Sequence, residues 1–160
     1  MILLRAALSA FHVLALAIGF TGLFVRGLKL RELRKDGGNA KLRSTLLRAD
    51  DAWGVAAVLW IVTGLVRAFA GLEKTPAFYT RNGFFWVKMA LFGLVFVLET
   101  RPMVTFIRWR IAKRRGETAV AVAVAASPLD VFVRLNDAEV VLILVIPFVA
   151  ALMARGAWLF

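Results

Sequence analysis

Four apolar runs divide the chain, each close to the ~20 residues that a helix needs to cross ~30 Å of hydrocarbon. The first extends from about Ala6 to Val25, with Ser9, His12 and Thr21 as its polar side chains. The second, from about Ala52 to Leu72, carries Arg67; the third, from about Asn82 to Leu98, carries Lys88; the fourth, from about Val140 to Phe160, carries Arg155. The pattern predicts an all-α membrane protein, an antiparallel bundle of four transmembrane helices forming a single domain over residues 1–160. A signal peptide is the competing reading of residues 1–20, but the apolar run is long for an h-region and is followed by dense positive charge. The first span is therefore read as retained.

The polar segments set the orientation. Eight basic residues fall between Arg26 and Arg48 and seven between Arg101 and Arg134, in the two linkers at about 26–49 and 101–137. Basic linkers remain on the cytoplasmic side, which puts both termini and the 73–83 loop outside. Inside the first linker DGGN (36–39) signals a turn between two helical extensions. Asp50 and Asp51 stand where an N-cap and first-turn acid would suit the second helix, and Asp137 and Glu139 do the same for the fourth. VTFIRWRIAKRR (104–115) suits a helix or helix extension at an anionic membrane surface. AVAVAVAA (119–126) alternates like a strand, but its small side chains suit a helix equally. Ser127, Pro128 and Asp130 resemble a helix start, and Pro147 should kink the fourth span.

Composition supports this class. The chain is 61% hydrophobic, against about 45–50% apolar residues in a soluble domain. The net charge of +11 would otherwise suggest nucleic acid, but the basic residues flank apolar spans and form no reading surface, so no nucleic-acid partner is expected. The expected partners are the bilayer, anionic headgroups at the basic linkers, and a further copy of the chain or another membrane subunit. There is no cysteine and a single histidine, which excludes thiolate metal sites, iron–sulfur clusters, a zinc site and a cysteine nucleophile. Nucleotide-binding glycine motifs are absent.

The polar residues inside the spans carry the candidate chemistry, because a charge in hydrocarbon needs a partner, a route to water or a function. His12, Ala15, Gly19, Gly22 and Arg26 fall on one stripe of the first span. The small residues let a neighbouring backbone or a flat ligand approach closely. On the second span Trp53, Trp60, Gly64, Arg67 and Gly71 share a face. Lys88 lies in FFWVKMALF (84–92). Counting from the outer ends, His12, Arg67 and Lys88 fall at similar depth, within roughly two helical turns. They form one candidate cofactor-binding group, although Arg67 and Lys88 could also serve as snorkelling interface anchors. Lys88 and Glu99, three helical turns apart, point from one face of the third helix. Arg26, Arg48, Asp50, Asp51 and Glu99 form a second polar layer on the cytoplasmic side, read as ion pairs that hold helix ends together.

A family resemblance follows from particular residues. H-x9-GLF (His12, Gly22-Leu23-Phe24), W-x-K (Trp86, Lys88), DDAWG (50–54), TGLVRAF (63–69), KTPAFYTRNGFFWVK (74–88) and LETRPM (98–103) resemble a bacterial family of small predicted membrane proteins called domain of unknown function 2214. That resemblance implies a membrane protein and no activity. The histidine with its following glycine-leucine-aromatic run, and the tryptophan-x-lysine, are more distantly similar to HemJ-type protoporphyrinogen oxidases and, more loosely, to CopD-type copper-resistance membrane proteins. The HemJ likeness implies a haem-binding histidine at His12 and a functional intramembrane lysine at Lys88. The chain departs from that pattern in having no second histidine, so bis-histidine haem within one chain is excluded. A haem would need five-coordination, another kind of second ligand, or a second subunit. Copper transport finds less support, because Met1, Met89, Met103 and Met153 do not cluster with His12 in the sequence.

The expectation is a small inner-membrane protein with an outer-leaflet haem b or similar tetrapyrrole site. His12 would be the iron ligand, and Arg67 and Lys88 would neutralise propionates or exchange protons. The alternatives are a non-catalytic membrane subunit or lipid-interacting protein, and a small proton-coupled transporter using Lys88 and Glu99. No specific enzyme activity is assigned.

Overall fold

A computed structural model describes residues 2–37 and 39–160 of the chain. Four long helices, α1 (Ile2–Asp36), α2 (Ala40–Phe69), α4 (Gly83–Arg115) and α6 (Leu129–Ala154), are joined by the short helices α3 (Pro76–Thr80) and α5 (Glu117–Ala125). All four long helices are long and apolar enough to cross a membrane. Helix α1 packs against α2 and α6, and α4 packs against α6 and α5.

The helices run well past the apolar runs. At 1.5 Å per residue α1 is roughly 50 Å long, against ~30 Å of hydrocarbon, and the excess lies at the basic end of the bundle. There Leu30, Leu33, Leu46, Phe106, Trp109 and Phe132, with Val120 and Val124 from α5, form a hydrophobic core of their own. The 104–115 stretch continues α4 as a helix extension, with Phe106 and Trp109 buried on its inner face. AVAVAVAA is helical, its Val120 and Val124 one turn apart and both buried. Spacing of i and i+4 puts two valines on one face, and that face meets the core.

Helix ends differ from the sequence expectation. Asn39, not Asp50, caps α2, accepting from the Leu42 amide. Asp50 and Asp51 lie in mid-helix, as do Asp137 and Glu139, because the packed extension places the true starts several turns earlier. Ser127 does not cap α6; its hydroxyl donates to the Ala123 carbonyl and accepts from the Trp109 indole. The second span ends at Phe69 and the fourth at Ala154. Beyond Ala154 the chain turns back, and the Gly83 amide donates to Trp158 while the Phe160 amide donates to Arg81. In DGGN, α1 ends at Asp36 and α2 starts after Asn39, with Gly37 at φ +66°; Gly38 lies outside the described residues.

Within the spans, Ala15, Leu23, Trp53, Trp60, Val95, Ile143 and Ile146 form a second core. The glycine stripe of α1 serves the α1–α2 seam. A Cβ on Gly22 would come within 2.8 Å of the Ala49 carbonyl, and one on Gly19 within 3.2 Å of Trp53 and Ala56. In lipid, where apolar burial drives little association, such close packing holds helices together. The alternative use of the stripe, the approach of a flat ligand, is thereby excluded at Gly19 and Gly22.

Candidate functional site

At the end opposite the basic linkers, the start of α1, the 70–82 connection and the C-terminal turn meet. Below them lies a cavity of about 390 Å³ whose walls include His12, Trp60, Gly64, Arg67, Lys88 and Pro147. The three residues grouped by depth counting therefore border one space. They reach it for separable reasons: His12 comes from the packed stripe of α1, Arg67 from the last turn of α2, and Lys88 from the second turn of α4.

Each polar group is in a different state. His12 Nδ1 lies 2.7 Å from Thr63 Oγ1, and that hydroxyl lies 2.7 Å from the Leu59 carbonyl. The Thr63 proton goes to the carbonyl, so Nδ1 carries the imidazole hydrogen and donates it to Thr63. This assignment from the network leaves Nε2 with a free lone pair. The buried Trp60 ring stacks obliquely 5.8 Å from the imidazole, and its indole N–H has no partner among the described residues. Gly64 gives the imidazole room: a Cβ there would sit 3.4 Å from His12 Cε1.

Arg67 is not a free cation. It donates from Nε and Nη2 to the two oxygens of Glu73 at 2.9 and 3.0 Å, and Ser9 donates to the same carboxylate at 3.1 Å. Burial alone would raise the Glu73 carboxyl, but the hydrogen bonds and charge of Arg67, with the Ser9 bond, outweigh it and hold the group below its ordinary value. Burial pushes the nearby Tyr79 phenol up, and the Glu73 charge adds to that. Lys88 forms no ion pair among the described residues; its ammonium lies 5.8 Å from the Phe85 ring centroid. Trp86, the other half of W-x-K, is exposed and donates to the Thr80 carbonyl. Glu73 escaped the sequence reading because it sits in a connection, where an acid ordinarily faces water. Met89 and Met153, far apart in sequence from His12, line the same cavity.

The second polar layer lies deep at the other side of the span core. Arg26 is wholly buried and makes hydrogen bonds to Asn136 (2.8 Å), Asp50 (2.9 Å), both oxygens of Glu99 (2.8 and 2.9 Å) and Glu139 (2.5 Å). Arg110 joins from α4, reaching Asp50 at 2.7 Å and Asp51 at 2.6 Å. Arg26, Asp50, Asp51 and Glu99 are thus gathered as expected, but Arg48 is not. Its side chain is exposed and nearest Ser44 Oγ at 3.4 Å, because its position on α2 faces away from the bundle and Arg110 occupies the bridging place. The sequence reading did not place Asn136 and Glu139, three residues apart on α6, in this layer and took Glu139 for a helix-start acid; their i, i+3 spacing on an apolar helix was the available signal.

Residues 4–157 match the family described as predicted membrane protein, DUF2214. The chain belongs to this family. No curated protein and no solved structure matches the chain. Family membership extends over both polar layers and all four spans, and it carries no activity with it. Among the described residues no group of three or more His, Asp or Glu side chains could hold a metal ion.

Proposed function

We propose that this DUF2214 protein is a multi-pass protein of the bacterial inner membrane, with both termini periplasmic, that binds an amphipathic molecule bearing an anionic group in the cavity beside His12. The observation that carries the reading is the coincidence of three unmet groups at one largely apolar cavity: the open Nε2 of His12, the indole N–H of Trp60 and the unpaired ammonium of Lys88. Ligand sites have this character, apolar walls with a few placed polar groups, and volumes of roughly 300–1,000 Å³. An unpartnered cation within a span is costly, and a ligand carboxylate would offset that cost.

Haem b is the specific candidate. The donor set fits a single protein ligand: His12 would hold the iron through its neutral Nε2, with its other nitrogen oriented by Thr63, the arrangement that fixes the tautomer of metal-bound histidines. Lys88 would meet a propionate. Arg67 would hold its end of the cavity through Glu73 instead of binding the ligand directly. Met89 and Met153 add thioethers to the walls. A haem bound there would supply one-electron redox chemistry; the chain's own residues would orient it, neutralise its acid groups and keep water from its apolar face. The likeness of His12 and Lys88 to the HemJ-type pattern supports the same candidate.

The test is a visible spectrum of protein purified in mild detergent from haem-supplemented cells. A Soret band lost in His12→Ala supports the reading, and a colourless wild-type preparation contradicts the haem assignment. Transport using Lys88 and Glu99 together has less support, since the two are eleven residues, or roughly 16 Å, apart along α4 and Glu99 is engaged by Arg26.

A further inference from the structure

The Arg26 cluster has more negative than positive groups. Counting side chains with little or partial exposure, it holds two cations, Arg26 and Arg110, and three carboxyls, Asp50, Glu99 and Glu139. Asp51, reached by Arg110, is largely in solvent. With every group ionised the buried set would carry one uncompensated negative charge in a low-dielectric interior, which is costly.

One oxygen identifies where the imbalance falls. Glu139 is wholly buried; its Oε2 accepts from Arg26, while its Oε1 has no donor among the described residues. A buried carboxylate oxygen without a donor leaves its desolvation unrelieved. Glu139 Oε2 and Glu99 Oε2 both accept from Arg26 Nη2, at 2.5 and 2.9 Å, so the two carboxyls are neighbours, and neighbouring carboxyls form a hydrogen bond with each other only if one of them carries a proton.

We propose that the cluster is a one-proton binding site, in which Glu139 holds a proton on Oε1 and donates it to Glu99. The charged and polar groups facing it are Arg26 from α1, Asp50 and Asp51 from α2 through the two arginines, Glu99 and Arg110 from α4, and Asn136 from α6 itself. The proton brings the buried set to two positive and two negative charges and satisfies the orphaned oxygen. Glu99, beside Glu139 on Arg26, keeps a partly exposed side chain and gives the proton its route to bulk water. Toward the His12 cavity the way is filled by Trp53, Trp60, Val95 and Ile143, so the site holds a proton at the α4–α6 contact and is separate from the cavity.

The test is infrared spectroscopy of the full chain in lipid nanodiscs at neutral pH, wild type against Glu139→Gln. A glutamine amide reproduces both bonds of a protonated carboxyl, accepting from Arg26 and donating to Glu99. The expected result is that the wild type has a carboxylic-acid carbonyl band that Glu139→Gln lacks, with the variant melting at the wild-type temperature. A difference spectrum showing loss of ionised carboxylate bands would overturn the proposal. So would a variant that fails to fold or melts far lower, since that is the consequence of removing an ionised partner from Arg26. Glu99→Gln serves as the contrast: it removes an ionised partner and should lower the melting temperature.

Discussion

Replacing Arg26 by glutamine removes the hub on which all four long helices converge. The guanidinium makes five hydrogen bonds, to Asp50 on α2, Glu99 on α4, and Asn136 and Glu139 on α6. Summing five charge-assisted bonds would overcount, because the desolvation of Arg26 itself offsets much of the gain. The relevant quantity is the cost of leaving buried carboxyls without their cation, about 3–5 kcal/mol for a broken buried pair. In a chain of this size each kcal/mol shifts Tm by roughly 2–4 °C, so Arg26→Gln should melt about 6–20 °C lower. Thermal unfolding in detergent, followed by loss of the monodisperse chromatographic peak, reads this directly. The deficit should shrink at acidic pH, where the stranded carboxylates accept protons, since stability falls with rising pH when the folded state binds the more protons. Arg108→Gln, at an exposed position of the same basic end, is the control and should stay within about ±0.5 kcal/mol. If Arg26→Gln melts within about 3 °C of wild type, under roughly 1.5 kcal/mol, the charge cluster does not hold the bundle as described.

Other consequences are open to measurement. Gly22→Ala places a Cβ 2.8 Å from the Ala49 carbonyl and should cost about 1–3 kcal/mol by overpacking, whereas Gly93→Ala, with nothing within 4 Å, should be neutral or stabilise by up to ~1 kcal/mol; equal melting of the two would refute the close α1–α2 seam. Because the folded Glu73 carboxyl lies below its ordinary value, its contribution is present above the unfolded value of about 4.3 and is lost as pH falls through the folded one. The melting advantage of wild type over Glu73→Gln should therefore be constant at neutral pH and fade in acid; an advantage that grows in acid has the wrong sign. A C-terminal reporter active only in the cytoplasm should be silent, and one inserted in the 36–39 turn should be active; the reverse pattern inverts the proposed orientation.

The four spans were legible because each contains an apolar run of membrane-crossing length, a signal that needs no tertiary knowledge. The meeting of His12, Arg67 and Lys88 was legible too, since depth follows from counting residues inward from helix ends. Helix starts were not. Asp50, Asp51, Asp137 and Glu139 look like terminal acids when the spans are assumed to end where apolarity ends. In the fold they are interior residues of longer helices, and two of them answer Arg26. The core of Leu30, Phe106, Trp109 and Phe132 was hidden because its members alternate at helical spacing with arginines that face solvent. The state of each site residue was also beyond the sequence: Arg67, read as an interface anchor or a partner for a ligand's acid group, is engaged by Glu73 six residues on, whereas Lys88 has no ion pair among the described residues.

The central claim concerns the cavity, and an equilibrium titration of purified protein with haem tests it most directly, comparing wild type with His12→Ala and with Lys88→Met. The expected result is saturable binding at one haem per chain, a Soret shift that His12→Ala abolishes, and a binding constant weakened by Lys88→Met with the band position retained, as follows if the lysine meets a carboxylate and not the iron. Identical titrations for all three proteins, or no saturable binding by the wild type, would contradict it.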